Sequence, residues 1–137
     1  MTRRAIICDL DGTLAIRNDC EPYLFEKARD DDINLAVKLI LQLCIKDGIE
    51  ILLVSSRQEK YRGVTLDWIF WHEVPFTTLR MRPTGDQRRD EIVKKEIYET
   101  YIKPEYEILF VLDDRDRVVK MWRDLGLNCW QVNYGNF

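Results

Sequence analysis

The chain has 137 residues, of which 46% are hydrophobic and 33% charged, and its formal net charge is −3. These proportions are ordinary for one globular domain with its own core, so we expect residues 1–137 to form a single domain. The negative net charge argues against a nonspecific nucleic-acid coat. Residues 57–95 nevertheless carry nine basic and six acidic groups, which fits either a polyanion-binding region or ordinary solvated helix faces.

No targeting or membrane segment is predicted. The first apolar run is only a few residues long, too short for a signal peptide, and no run of 18 apolar residues occurs. The cysteines are widely spaced and none forms a C-x-x-C pair, which favours reduced thiols over disulfides or zinc. We therefore expect a cytoplasmic protein without membrane contact, whose thiols are Cys8, Cys20, Cys44 and Cys129.

The predicted elements alternate between strands and helices. In chain order they are a strand at 5–8, an irregular segment at 15–30, a helix from about Ile33 to Lys46, a strand at 49–54, a helix at 61–74, a strand at 77–82, a helix at 88–102, a strand at 108–112, a helix at 115–125 and a strand at 128–132. This alternation predicts a three-layer, Rossmann-like α/β fold with a mostly parallel five-stranded sheet.

Some predictions concern particular elements. Residues 15–30, with an apolar island at 22–25, form a segment that is too long for a plain connection between elements and are predicted to be a functional flap. Any cap over the site is therefore expected to be minimal. Residues 30–32 are predicted to cap the first helix, whose apolar residues surround it and predict deep packing. An aromatic stripe in the second helix, formed by Val64, Trp68, Ile69 and Trp71, is predicted to be core. The only histidine, His72, is expected to have a structural or surface role rather than a catalytic one.

Three predicted strands end in side chains that carry chemistry, and strand ends of a parallel sheet meet at one edge. In chain order these residues are Asp9 and Asp11, then Ser55, Ser56 and Arg57, then Asp113 and Asp114. Lys94 lies in the helix between the last two groups. Each group has a structural alternative, such as a turn, a helix cap or a solvated helix face. Their joint occurrence indicates a site for a divalent cation, most plausibly Mg²⁺, and a phosphoryl group.

The chemistry of such a site assigns two roles. Asp9 is the candidate nucleophile, attacking phosphorus as a carboxylate. Asp11 is the candidate general acid, which protonates the leaving oxygen and then activates water.

These motifs resemble the haloacid dehalogenase superfamily of phosphotransferases, through Asp9–Thr13, Ser55, Lys94 and the Asp113–Asp114 pair. Segments 85–90, 94–97, 112–115, 121–123 and 129–132 further resemble the 3′-phosphatase domain of bacteriophage polynucleotide kinases. The resemblance covers essentially the whole chain. It implies a Mg²⁺-dependent phosphoric monoester hydrolase that acts through an aspartyl-phosphate on 3′-phosphate or 2′,3′-cyclic phosphate ends of RNA or DNA.

The resemblance also implies residue roles. The catalytic residues are Asp9, Asp11, Ser55 and Lys94, and the substrate-binding residues are Thr13, Ser56, Arg57, Arg88 and Arg89. The metal ligands are Asp9, Asp11 (through its backbone carbonyl), Asp113 and Asp114. Arg80 and Arg82 are further candidates for contacts to a polynucleotide backbone. Tyr23, Trp122 and Trp130 are candidates for base stacking, with core positions favoured for both tryptophans.

Two departures from the family pattern matter. The family's flap arginine falls at Cys20, although Arg17 lies nearby, so the departure bears on substrate affinity. No G-x-x-x-x-G-K-[ST] motif occurs, so we expect the phosphatase part alone, with a separate kinase or ligase as partner. The sequence leaves open a phosphatase for nucleotides or sugar phosphates, a non-catalytic phosphoacceptor and a silent nucleic-acid binding module.

Overall fold

The computed structural model of the protein describes residues 2–17 and 30–136. In chain order its elements are β1 (Arg3–Cys8), β2 (Ala15–Ile16), β3 (Asp32–Ile33), α1 (Leu35–Lys46), β4 (Glu50–Gln58), a 3-10 turn (Glu59–Tyr61), α2 (Arg62–Trp71), β5 (Thr78–Arg82), α3 (Asp90–Ile97) with a π-helical extension (Tyr98–Ile102), β6 (Tyr106–Asp113), α4 (Asp116–Asp124) and β7 (Cys129–Gln131).

Five strands form one sheet in the order β5-β4-β1-β6-β7, and every neighbouring pair is parallel. β1 lies at the centre and carries the apolar run that the sequence places there, with Ala5 and Ile6 fully buried. A parallel sheet needs cover on both faces, and the chain supplies it by alternating strands with helices. The predicted α/β fold is confirmed.

Two core clusters lie on opposite faces of the sheet. One packs α1 and α2 against β1 and β4 through residues such as Val37, Leu41 and Trp68. The other packs α3 and α4 against the opposite side of the same strands through Val93 and Trp122. Trp122 is therefore core, as predicted. Among the described residues, no helix has both the length and the apolar character needed to cross a membrane.

A short antiparallel ribbon of β2 and β3 joins the two ends of the predicted flap. Ala15 pairs with Ile33 and Ile16 with Asp32. Residues 18–29 of the predicted flap, including Cys20, Tyr23 and the apolar island at 22–25, lie outside the described residues. No cap domain is present in the described part of the chain.

Two predictions for α1 were wrong. Its N-cap is Asn34, whose side chain accepts from the backbone N–H of Val37, whereas Asp32 lies in β3. Deep packing is also absent, because Leu35, Leu39 and Leu43 are exposed. The sheet contacts only the inner side of a helix laid across it, and no other described element covers the outer side of α1.

The aromatic predictions are corrected in part. Trp68 and Ile69 are buried, and the Trp68 indole N–H donates to the backbone carbonyl of Asp31 at 2.9 Å. Trp71, the last residue of α2, is exposed. Trp130 is not core either; it is half-exposed and stacks on the Phe110 ring at 4.5 Å. His72 packs against Trp68, which fits the expected structural role.

Candidate active site

The loop after β1 forms the floor of the site. The Asp9 backbone N–H donates to the Leu112 carbonyl, so the loop begins in register with β6. The Leu10 carbonyl then accepts from the N–H groups of Thr13, Leu14 and Ala15 at 2.8 to 3.1 Å. This tight turn requires the positive φ of +85° at Gly12, which glycine adopts without strain. The turn places several polar side chains beside the end of β1.

Three buried carboxylates converge at this floor. Asp9 follows β1, and Asp113 and Asp114 lie at the end of the neighbouring strand β6. One carboxylate oxygen from each lies within 4.8 Å of the others. Oxygen donors at this spacing are what a hard divalent cation such as Mg²⁺ prefers, so the residues present fit a magnesium site.

Lys94 compensates part of this buried negative charge. Its Nζ donates to Asp9 Oδ1 at 2.7 Å and to Asp113 Oδ2 at 3.0 Å. Burial lowers the pKa of Lys94, but the charges of Asp113 and Asp9 outweigh that effect and hold its pKa above the usual value. Burial, followed by the charge of Asp113, raises the pKa of Asp9 well above its usual value. Lys94 is therefore a fixed cation inside an electrostatically strained acidic cluster.

Two further donors orient the acids. The Thr13 hydroxyl lies 3.0 Å from Asp9 Oδ2 and 3.4 Å from Asp114 Oδ1. The Trp122 indole N–H donates to Asp113 Oδ2 at 3.1 Å. Thr13, predicted to bind substrate, thus contacts the acidic cluster directly. Its role in substrate binding stays a prediction.

Asp11 points to a different side of the floor. Arg57 Nε and Nη2 donate to its two carboxylate oxygens at 2.9 and 2.7 Å. Arg57 Nη1 donates to Thr65 on α2, and Asp31 Oδ2 lies 3.6 Å from Nη2. Burial lowers the pKa of Arg57, but the hydrogen bonds and charge of Asp11 raise it by a larger amount. The pKa of Arg57 therefore lies above its usual value. The Asp11 carboxylate is thus rigidly held apart from the three clustered acids.

The two serines at the end of β4 differ in their contacts. Ser55 is fully buried, and its Oγ accepts from the Arg57 backbone N–H at 3.0 Å. Ser56 lines the pocket, and its buried Oγ has no hydrogen-bond partner within the described residues. A buried hydroxyl without a partner is costly unless a ligand satisfies it. Ser56 therefore suits the predicted role of binding substrate.

A pocket of about 660 Å³ opens above this floor. Its lining combines the three acids and Lys94 with a rim of arginines, which are Arg17, Arg57, Arg82, Arg88 and Arg115. The lining also contains Asp11, Asp86 and Asp90, which pair with four of these arginines. Five arginines around one pocket suit a ligand that is a phosphate on a polyanion.

The sequence did not predict that Arg82 is buried, nor which residues it contacts. Arg82 is buried at the end of β5, and its guanidinium donates to the backbone carbonyls of Ser56 and Arg88. Its Nη2 also donates to Asp90, which in turn accepts from Arg115. This Arg82–Asp90–Arg115 network ties β5, α3 and α4 together at the rim. In the sequence, Asp90 is indistinguishable from an ordinary acid in the first turn of a helix.

Arg88 and Arg89, which were both predicted to bind substrate, have different surroundings in the structure. Arg88 lines the pocket and pairs with Asp86 and Glu96, and its hydrogen bonds lower the pKa of Asp86 to about 2. Arg89 is exposed, pairs with Glu91 at 2.8 Å and does not line the pocket. Arg80 lies over the Tyr101 ring, also away from the pocket.

Gly12 supplies the first test of this geometry. A Cβ at this position would lie 2.1 Å from Asp114 Oδ2, and the φ of +85° is strained for any other residue. We expect Gly12→Ala to displace Asp114 and to reduce phosphatase activity severely. Gly48→Ala is the matched control, because its φ is also positive while nothing lies within 4 Å of its Cβ. If both variants lose the same activity, backbone strain rather than the acidic cluster is responsible.

A doubly wound parallel sheet with clustered acids, a lysine and hydroxyls at its carboxyl edge defines a phosphatase of the haloacid dehalogenase class. The family described as "Polynucleotide kinase PNKP phosphatase domain" matches residues 3–137, and the chain belongs to this family. The resemblance inferred from the motifs and the expected class of phosphoric monoester hydrolase are confirmed.

The chain spans less than half the length of two of the related proteins that it matches. A "Putative bifunctional polynucleotide kinase/RNA ligase" of Autographa californica nuclear polyhedrosis virus is 33% identical over 131 residues, which cover 90% of this chain and 18% of that protein. A chain of the solved "Pnkp1/Rnl/Hen1 complex" is 41% identical with a TM-score of 0.97, over 99% of this chain and 48% of that one. The class C acid phosphatase from Bacillus anthracis, 14% identical with a TM-score of 0.69 over 99% of this chain and 68% of that one, shares the fold alone.

Proposed function

We propose that the protein is a Mg²⁺-dependent polynucleotide 3′-phosphatase that acts on RNA ends during RNA repair. The observation that carries the proposal is the acidic cluster with Lys94 beneath an arginine rim, in a chain of the PNKP phosphatase family. RNA is favoured over DNA because a related chain, 41% identical, belongs to a solved "Pnkp1/Rnl/Hen1 RNA repair complex". By the same analogy, a kinase and a ligase supply the other repair steps, in this polypeptide or in separate ones.

Asp9 is the nucleophile in this proposal. Its Oδ1 and Oδ2 are fixed by Lys94 and Thr13 at the floor of the pocket, so little reorientation precedes attack on phosphorus. The attack forms an aspartyl-phosphate and breaks the bond between phosphorus and the terminal ribose oxygen. Asp9, Asp113 and Asp114, with the Asp11 carbonyl as the expected further ligand, would hold a Mg²⁺ ion, which would neutralise negative charge on the phosphoryl group.

Asp11 provides the proton transfers. Arg57 holds its carboxylate on the open side of the floor, where each oxygen keeps a second lone pair for a ligand. Asp11 protonates the departing ribose oxygen and then removes a proton from the water that attacks the aspartyl-phosphate. Free phosphate and unmodified Asp9 result. Ser56, with its unsatisfied hydroxyl, and Lys94 bind the phosphoryl oxygens through both steps.

A substrate panel tests the proposal. We expect kcat/KM on a 3′-phosphorylated RNA oligonucleotide to exceed that on a free 3′-nucleotide by about tenfold or more, because the arginine rim contacts the polymer backbone. The same oligonucleotide in DNA, a 2′-phosphate and a 2′,3′-cyclic phosphate complete the panel, each with Mg²⁺ and with EDTA. Equal efficiency on nucleotide and oligonucleotide would show a small-molecule phosphatase instead.

Arg88 and Arg89 make a matched pair for the same assay. Arg88→Ala is expected to raise KM for the oligonucleotide but not for the nucleotide, since Arg88 lines the pocket. Arg89→Ala, which removes an exposed arginine outside the pocket lining, should leave both unchanged.

A further inference from the structure

The segment that follows β7 folds back onto the loop that joins β6 to α4. The Val132 N–H donates to the Asp113 carbonyl at 3.0 Å, so the chain stays beside β6 up to this residue. The chain then turns, and the Gly135 carbonyl accepts from the backbone N–H of Asp116 at 2.6 Å. Gly135 is buried, whereas the residues on either side of it are exposed. Gly135 is therefore the point at which this segment packs against the loop.

The contact at Gly135 is so close that only glycine fits. A Cβ at this position would lie 2.0 Å from the Asp114 carbonyl oxygen and 2.9 Å from the Arg115 Cα. Real Cβ atoms do not approach other atoms so closely. The φ of Gly135 lies outside the left-handed region, so the backbone conformation does not call for glycine. The requirement comes from the packing of this segment against Asp114.

Gln131 adds a side-chain contact to the same loop. Its Nε2 donates to the Asp114 carbonyl at 2.9 Å and to Asp116 Oδ1 at 2.6 Å. The residue before α4, Arg115, makes no side-chain capping hydrogen bond, and the Gly135 carbonyl instead accepts from a first-turn N–H of that helix. The segment at 131–135 thus fixes the loop from Asp114 to the start of α4.

Asp114 is enclosed from the opposite direction as well. A Cβ at Gly12 would lie 2.1 Å from Asp114 Oδ2, and the Thr13 hydroxyl lies 3.4 Å from Oδ1. The loop after β1 therefore packs against the carboxylate of Asp114, and residues 131–135 pack against its backbone. Both contacts bear on an acid of the three-carboxylate cluster.

We propose that Gln131 and Gly135 are positioning residues of the metal site, which hold Asp114 where its carboxylate can bind Mg²⁺. They act through the backbone of the loop and not as ligands. Groups that orient metal ligands typically change metal affinity by about 10- to 100-fold when they are altered. The inference rests on the proposed Mg²⁺ site, and it gives the segment after β7 a part in that site.

Thermal melting over a range of Mg²⁺ concentrations tests the proposal, because the rise in melting temperature reports the dissociation constant of Mg²⁺ for the folded chain. We expect Gly135→Ala to raise this constant about tenfold or more. Gly63→Ala is the matched control, since neither glycine has a left-handed φ and nothing lies within 4 Å of a Cβ at Gly63. The control should bind Mg²⁺ like wild type. Phosphatase activity of Gly135→Ala should require correspondingly more Mg²⁺.

A second variant keeps the proposal testable if Gly135→Ala does not fold. Gln131→Leu removes the side-chain donor and is expected to raise the dissociation constant of Mg²⁺ about tenfold, whereas Gln42→Leu, exposed on α1, should not change it. Variants of Gln131 and Gly135 that melt at a lower temperature in EDTA but bind Mg²⁺ with wild-type affinity overturn the proposal, because the segment is then structural only. A wild-type chain whose melting temperature does not respond to Mg²⁺ contradicts the metal site itself, and with it the proposed function.

Discussion

Asp9→Asn is expected to lower the rate of phosphate release by on the order of 10⁴-fold or more, the size of effect seen when a covalent nucleophile is removed. The amide cannot form the aspartyl-phosphate, yet it keeps the shape of the side chain and an oxygen for Lys94. Acid-quenched wild-type enzyme should carry a phosphoryl group on the peptide that contains Asp9, detected by mass spectrometry. Retained turnover in Asp9→Asn would refute the covalent mechanism.

The fold of Asp9→Asn should be intact, and its pH dependence is informative. Burial and Asp113 raise the pKa of Asp9 in the folded state above its usual 3.8. Above pH 3.8 the folded chain therefore binds more protons at Asp9 than the unfolded chain, and stability falls as pH rises toward the folded pKa. Removing this titration should leave Asp9→Asn at least as stable as wild type at pH 7 in EDTA, measured by thermal melting.

The variant Asp114→Asn distinguishes the role of metal ligand from the role of nucleophile. Asp114 belongs to the acidic cluster but has no role as a nucleophile in the proposed mechanism. We expect its loss of activity to be recovered in part at higher Mg²⁺ concentration, because the remaining carboxylates still offer ligands. Asp9→Asn should show no recovery at any Mg²⁺ concentration.

The sheet and the acidic floor were predictable because both depend on short-range patterns. Apolar runs of about five residues identified the central strands, and the polar residues directly after them identified Asp9 and Asp113. Parallel pairing then brings these strand ends together without further information. The position of Lys94 at the site was predictable as well, because it lies in the second turn of α3, whose first residue is near the same edge of the sheet.

The parts that were missed depend on contacts between distant residues. Arg82 reaches Asp90 on a helix that starts after a turn, and Asp90 also accepts from Arg115 beyond β6. The pairing of Arg57 with Asp11 spans 46 positions, and no local pattern encodes it. The exposed side of α1 was missed for a different reason. Hydrophobic periodicity shows which residues seek burial, but it cannot show whether the covering surface belongs to the same chain.

Lys94→Met should have the largest effect on stability. It removes the buried cation that contacts Asp9 at 2.7 Å and Asp113 at 3.0 Å, and it leaves these carboxylates close together without compensation. Breaking a buried ion pair from one side costs about 3–5 kcal/mol. We expect a loss of this size in the free energy of unfolding, measured by urea titration in EDTA at pH 7, together with loss of phosphatase activity.

Lys95→Met is the control for Lys94→Met. Lys95 is the next residue on α3, is exposed, and lies 3.9 Å from Glu99, so its removal should change the unfolding free energy by less than about 0.5 kcal/mol. In Lys94→Met, the pKa values of Asp9 and Asp114 should rise further, because the charge of Lys94 lowers both, so stability should fall more steeply than in wild type as pH rises above 3.8. The double variant Asp9→Asn/Lys94→Met should regain part of the lost stability, since it removes one of the uncompensated charges. If Lys94→Met is as stable as Lys95→Met, the Lys94 contacts do not compensate the acidic cluster, and the electrostatic account of the site is wrong.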